Sequence, residues 1–62
     1  MKLTLKKAQE IMAKNSGNLN LRNNKQITEL PEGLTVVGNL DIRNTDITEL
    51  PEDITIGGWL LA

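Results

Sequence analysis

The sequence predicts an α/β fold: a very short solenoid of short parallel β-strands, entered through an N-terminal helical cap. Three observations carry that expectation. A segment of about 20 residues occurs twice and begins a third time, apolar and polar side chains alternate at the same place in each copy, and an amphipathic stretch precedes the first copy.

The repetition is direct. Gly17-Asn18-Leu19-Asn20-Leu21-Arg22-Asn23 returns as Gly38-Asn39-Leu40-Asp41-Ile42-Arg43-Asn44, and Ile27-Thr28-Glu29-Leu30-Pro31-Glu32 returns unchanged from Ile47 to Glu52. Leu34-Thr35-Val36 then matches Ile54-Thr55-Ile56, and Gly58-Trp59-Leu60-Leu61-Ala62 starts a third copy. The offset is 21 residues from Leu19 to Leu40 but 20 from Leu40 to Leu60, because one extra residue separates Arg22 from Ile27. Such an insertion in a turn costs little. The single domain, 1–62, therefore divides into a cap (4–16), a first repeat (17–37), a second (38–57) and a truncated third (58–62).

A period near 20 is too short for a helical pair and suits one short strand with a return path. Leu19 and Leu21, then Leu40 and Ile42, alternate with polar neighbours as a strand with one buried face, and Asn23-Asn24 or Asn44-Thr45 supplies turn chemistry at its end. Pro31 and Pro51 keep the return path out of regular pairing, so successive strands stack in parallel.

At these residues the chain resembles the leucine-rich-repeat family, whose pattern LxxLxLxxNxLxxLP is met by Val37, Leu40, Ile42, Ile47, Leu50 and Pro51. The first copy fits through Leu19, Leu21, Asn24, Leu30 and Pro31, and the resemblance covers residues 17–62. More loosely, the chain is similar to small repeat proteins of this kind in phage and bacterial genomes. The family's turn asparagine is present as Asn24 but replaced by Thr45, which leaves that ladder incomplete. Leu34 and Val36, with Ile54 and Ile56, also have the spacing of a second strand per repeat, which would bring the object closer to a parallel β-helix.

Ahead of the repeat, Leu5, Ala8, Ile11 and Met12 share one helical face and Lys6, Lys7, Gln9, Glu10 and Lys14 the other. Thr4 suits the N-cap, Leu3 against Ala8 a hydrophobic staple, and Gly17 the left-handed terminus after Ser16. A basic amphipathic helix is also a candidate for membrane or nucleic-acid contact. The capping role is favoured, because a solenoid must hide the open end of its core and this helix leads straight into the first repeat.

Composition excludes most chemistry. With no His and no Cys, the usual general base, thiol nucleophile and zinc ligands are missing, and no disulfide reinforces a 62-residue domain of marginal core size. The only serine, Ser16, has no base near it in the pattern, and Gly57-Gly58 lacks the lysine of a phosphate loop. Stacking sets Glu29 over Glu49 and Glu32 over Glu52, about 4.8 Å apart, close to the spacing of about 5 Å in retaining glycosidases. Repetition alone produces that spacing, and so small a stack offers no enclosing pocket. The sequence is thus read as no enzyme, with no cofactor and no metal. No secretory signal or run of about 20 apolar residues occurs, so a cytoplasmic protein without membrane contact is expected.

The net charge of −1 conceals polarity along the chain. Residues 1–25 hold six of the seven basic groups against Glu10 alone, a net +5, whereas residues 26–62 hold Arg43 against seven acids, a net −6. The single aromatic residue, Trp59, lies in the acidic half, so there is no stacking platform among positive charges, and direct nucleic-acid binding is not expected. A ladder of Arg22 and Arg43 could grip one phosphate, but the favoured role is to neutralise neighbours such as Asp41 or the glutamate columns.

Stacking should turn outward residues into columns: Asn18, Asn39, Trp59, and beside it Asn20, Asp41, Leu61. Each column ends on a large apolar residue, on a strand whose outer edge has no neighbour. Such an edge invites pairing unless Trp59 folds over the end of the core as a plug. The first expectation is a non-catalytic protein-interaction module that self-associates as a homo-oligomer through residues 57–62 and presents Asn20, Arg22, Asp41, Arg43, Trp59 and Leu61 to a protein partner. The alternative, prompted by the phage-like resemblance, is a small inhibitor that blocks a host nucleic-acid-binding protein with Glu29, Glu32, Glu49, Glu52 and Asp53 in place of phosphates. A third possibility is a truncated repeat array without a task of its own.

Overall fold

A computed structural model describes all residues, 1–62. It contains one helix, α1 (Leu5–Lys14), and five two-residue strands: β1 (Leu19–Asn20), β2 (Thr35–Val36), β3 (Leu40–Asp41), β4 (Thr55–Ile56) and β5 (Leu60–Leu61). The strands form two parallel sheets, one ordered β1-β3-β5 and the other β2-β4, and neither closes into a barrel. No helix is long and apolar enough to cross a membrane.

The repeat sets the register. Leu19 lies beside Leu40 and Leu40 beside Leu60, while Thr35 lies beside Thr55. The offset of 21 residues and then 20 is thus absorbed before the second sheet, in the turn where the extra residue falls. The second ladder, left open by the sequence, is formed: Thr55 N–H donates to Leu34 C=O at 3.0 Å and Gly57 N–H to Val36 C=O at 2.7 Å.

α1 starts where Thr4 accepts a hydrogen bond from Lys7 N–H through Oγ1 at 3.1 Å, and it ends through Ser16 (φ 56°) and Gly17 (φ 88°) in the left-handed region. A side chain at Gly17 would be strained by that φ and would also press on Val37. Ala8 and Met12 are buried, with Ile11 partly so, but Leu5 at the helix start stays exposed. Leu3 is fully buried, and it is held by backbone as well as by packing: its N–H donates to Glu29 C=O at 3.0 Å.

The core is graded along the stack. In the first repeat Leu19, Leu21, Ile27, Leu30, Leu34 and Val36 are all buried, as is Leu40 at the start of the second. Their counterparts Ile42, Ile47, Ile54 and Ile56 are only partly buried, Leu50 is 37% exposed against 4% for Leu30, and Leu60 is 43% exposed against 0% for Leu40. Burying a leucine fully is worth about 1.5–3 kcal/mol, so the first repeat carries most of the apolar stabilisation. Val37, expected at an inward position of the family pattern, is 75% exposed. Val36, the residue before it, takes the buried face of β2, so alternation along the strand turns Val37 outward.

Candidate interaction surface

Asparagines connect the repeats. Asn18 Oδ1 accepts from Asn39 N–H at 2.8 Å, and Asn39 Oδ1 accepts from Trp59 N–H at 2.7 Å. Each amide thus caps the backbone one repeat further on, and Trp59, lacking an acceptor, ends the series. Close approach is what allows this, since a methyl group on Gly38 or Gly58 would overlap the Asn18 or Asn39 side-chain oxygen. A second pair, Asn44 Nδ2 to Asn23 Oδ1 at 2.6 Å, stacks two turns whose asparagines both have positive φ. The turn itself is closed by Asn24 Nδ2 on Leu21 C=O at 3.0 Å in the first repeat. Thr45 Oγ1 on Ile42 C=O at 2.7 Å does the same in the second, so the threonine preserves the bond that its departure from the family pattern put in doubt.

The column Asn20, Asp41, Leu61 is not uniformly presented. Asn20 is exposed and its Oδ1 accepts from Arg22 N–H at 3.1 Å. Asp41, expected on the outer surface, is only 8% exposed, which corrects its place in the proposed contact face. Its Oδ1 accepts from Arg43 N–H at 3.1 Å, and its carboxylate forms a two-pronged pair with the Arg43 guanidinium at 3.0 and 2.8 Å, so the surrounding groups that cover it also satisfy it. The hydrogen bond from the Arg43 side chain is the main reason that the Asp41 carboxyl lies below the ordinary aspartate range, and the same bond holds the Arg43 pKa up. Arg22 makes no ion pair but adds a weaker attraction to Asp41.

At β5 the apolar side chains are open. Trp59 is 74% exposed, so it does not fold over the core as a plug, and Leu60 and Leu61 are exposed beside it. Leu40 N–H donates to Trp59 C=O, and Ile42 N–H to Leu61 C=O. Leu60 occupies in β5 the register of Leu40, so its N–H points away from β3, along a sheet edge with no strand beside it.

The acidic residues divide. Glu29, Glu32 and Glu49 line one groove of about 620 Å³ together with Asp46 and Lys2, whereas Glu52 and Asp53 lie outside it. No backbone hydrogen bond joins the segments 27–32 and 47–52, so the glutamates are not locked in register as the strands are. No three acidic side chains come together as a metal-binding group. Sequence reasoning placed Asn18 and Asn39 only in an outward column and missed their capping role; the signal for it was the glycine-asparagine pair repeated at the same place.

Comparison of the chain with protein-family models, with characterised proteins and with solved structures finds no match.

Proposed function

We propose that the chain is a short leucine-rich-repeat-like solenoid acting as a non-catalytic protein-interaction module, and that it self-associates through the β5 end. The single observation that carries this reading is the graded core: apolar residues closed off in the first repeat have counterparts in the second and at β5 that stay open. An open apolar end with a free strand edge favours strand addition by another chain.

The first repeat is already covered by α1 and by Met1–Leu3, leaving one open end per molecule. Stacking head to tail is therefore blocked. A single self-complementary end is satisfied by a two-fold axis, which closes the assembly at a dimer. Trp59, Leu60 and Leu61 form the centre of that contact, with Asn20, Arg22 and Arg43 on the neighbouring polar surface.

Light scattering tests it. The wild-type chain is expected at twice its 6.9 kDa mass, with little response to salt, and Trp59→Ala is expected to shift the population toward monomer. A wild-type monomer at high concentration contradicts the reading.

The gathering of Glu29, Glu32, Asp46 and Glu49 along one groove favours a second reading, an acidic inhibitor of a nucleic-acid-binding protein. Its inhibition would fade steeply from low to physiological ionic strength, whereas an apolar interface would not.

A further inference from the structure

Two copies of one hexapeptide stand in different company. Ile27–Glu32 and Ile47–Glu52 are identical in sequence, so their local backbone preferences are matched. In the first copy Thr28 N–H donates to Met1 C=O at 2.9 Å and Leu3 N–H donates to Glu29 C=O at 3.0 Å, and Lys2 forms a parallel bridge with Glu29. The chain's own N-terminal segment is therefore an added strand on the first copy. In the second copy neither Thr48 nor Glu49 makes any backbone or side-chain hydrogen bond. Both copies line the same groove.

The second copy also differs from the first in one telling position. The Met1 ammonium is received by Gln26 C=O and by Thr28 Oγ1. The residue in the place of Gln26 is Asp46, and Thr48 stands in the place of Thr28. An aspartate near the site where an ammonium would arrive, together with Glu29, Glu32 and Glu49 against Lys2 alone, gives the groove a charge that suits a basic strand. Leu50, largely covered in its Leu30 counterpart, is open to an incoming apolar side chain.

We propose that Thr48–Leu50 is a vacant strand-acceptor site for an extended, lysine-bearing segment of a partner protein, apolar on either side of the lysine and running parallel to it as Met1-Lys2-Leu3 runs along Thr28–Leu30. Backbone hydrogen bonds to Thr48 N–H and Glu49 C=O fix the segment, the carboxylates of Asp46 and Glu49 attract its cationic groups, and its second apolar side chain covers Leu50. This site is separate from the β5 end and does not depend on dimer formation.

The probe is a peptide Met-Lys-Leu-Thr-Gly with a free amino end and a fluorophore at its carboxyl end, titrated against the full chain by anisotropy, with amide shifts followed by NMR. Saturable binding is expected, with the largest shifts at Thr48 and Glu49. Thr48→Pro removes an N–H that has no partner in the free protein and is expected to weaken binding about tenfold, the worth of one well-made hydrogen bond. Asp46→Asn, which keeps the shape of the groove, is expected to weaken it severalfold, as is glutamate in place of the peptide lysine. Absence of saturation with a folded wild-type chain overturns the proposal. So do shifts confined to Leu3 and Thr28, which mean that the peptide merely displaces the resident segment, and so does binding indifferent to Asp46→Asn and to peptide charge. A monomeric wild type that nevertheless binds the peptide defeats the self-association reading alone.

Discussion

The first and second repeats share a sequence and differ in surroundings. Leu30 and Leu50 lie in the same hexapeptide, yet one is buried and the other more than a third exposed; Leu40 is closed and Leu60 open at matched strand positions. Burial here is set by place in the stack rather than by local pattern. A repeat supplies one half of each interface, and its inward leucines gain their full worth only when something lies on both sides. The first repeat has α1 and Met1–Leu3 on one side and the second repeat on the other.

The largest expected effect separates the two identical leucines. Leu30→Ala removes a buried side chain and should cost about 3 kcal/mol, enough to unfold much of so small a domain, whereas Leu50→Ala should cost about 1 kcal/mol or less. Urea denaturation followed by circular dichroism measures both. Equal losses would mean that the second repeat is covered in solution as fully as the first.

The asparagine series gives a smaller contrast. Asn18→Ala strips the acceptor from Asn39 N–H in a partly buried setting and should cost about 2 kcal/mol, while Asn39→Ala frees the exposed Trp59 N–H and should cost about 1 kcal/mol. Thr4→Ala, which removes the N-cap of α1, should cost about 1 kcal/mol in the same assay.

The smallest effect is on pH dependence. Asp41 is held below the ordinary aspartate range by Arg43, so its contribution is fully present above that range and is lost as pH falls through the depressed value. Asp41→Asn should therefore flatten the acid side of the stability profile while keeping the bond from Arg43 N–H, as Asn20 does for Arg22 N–H. An unchanged acid limb in thermal melts across acidic pH would show that the pair adds nothing in solution.

Much of this arrangement was legible in the sequence. The alternation at Leu19 and Leu40 gave parallel strands, the spacing gave the change of offset from 21 to 20 residues, and Thr4 gave the helix start, because each depends on nearest neighbours. Less legible were features set by the other repeat. Val37 is exposed because Val36 takes the buried face of the second ladder, and Asp41 is covered on the central strand between Asn20 and Leu61 while Arg43 pairs with its carboxylate. The strand formed by Met1–Leu3 was invisible, since three residues carry no periodicity and Leu3 is equally well explained as a helix staple. The open apolar end was readable as a pattern at Trp59 and Leu61, but the unbonded backbone at Thr48 and Glu49 emerges only when the occupied copy lies beside it for comparison.

Amide hydrogen exchange at Thr28 and Thr48 tests this difference most directly. Both follow isoleucine within the same hexapeptide, so their unprotected rates match closely and any difference reports on surroundings. Thr28 N–H, bonded to Met1 C=O, is expected to be protected, and Thr48 N–H to exchange nearly as fast as an unfolded peptide. Equal protection at the two sites would contradict the division between a covered and an open repeat.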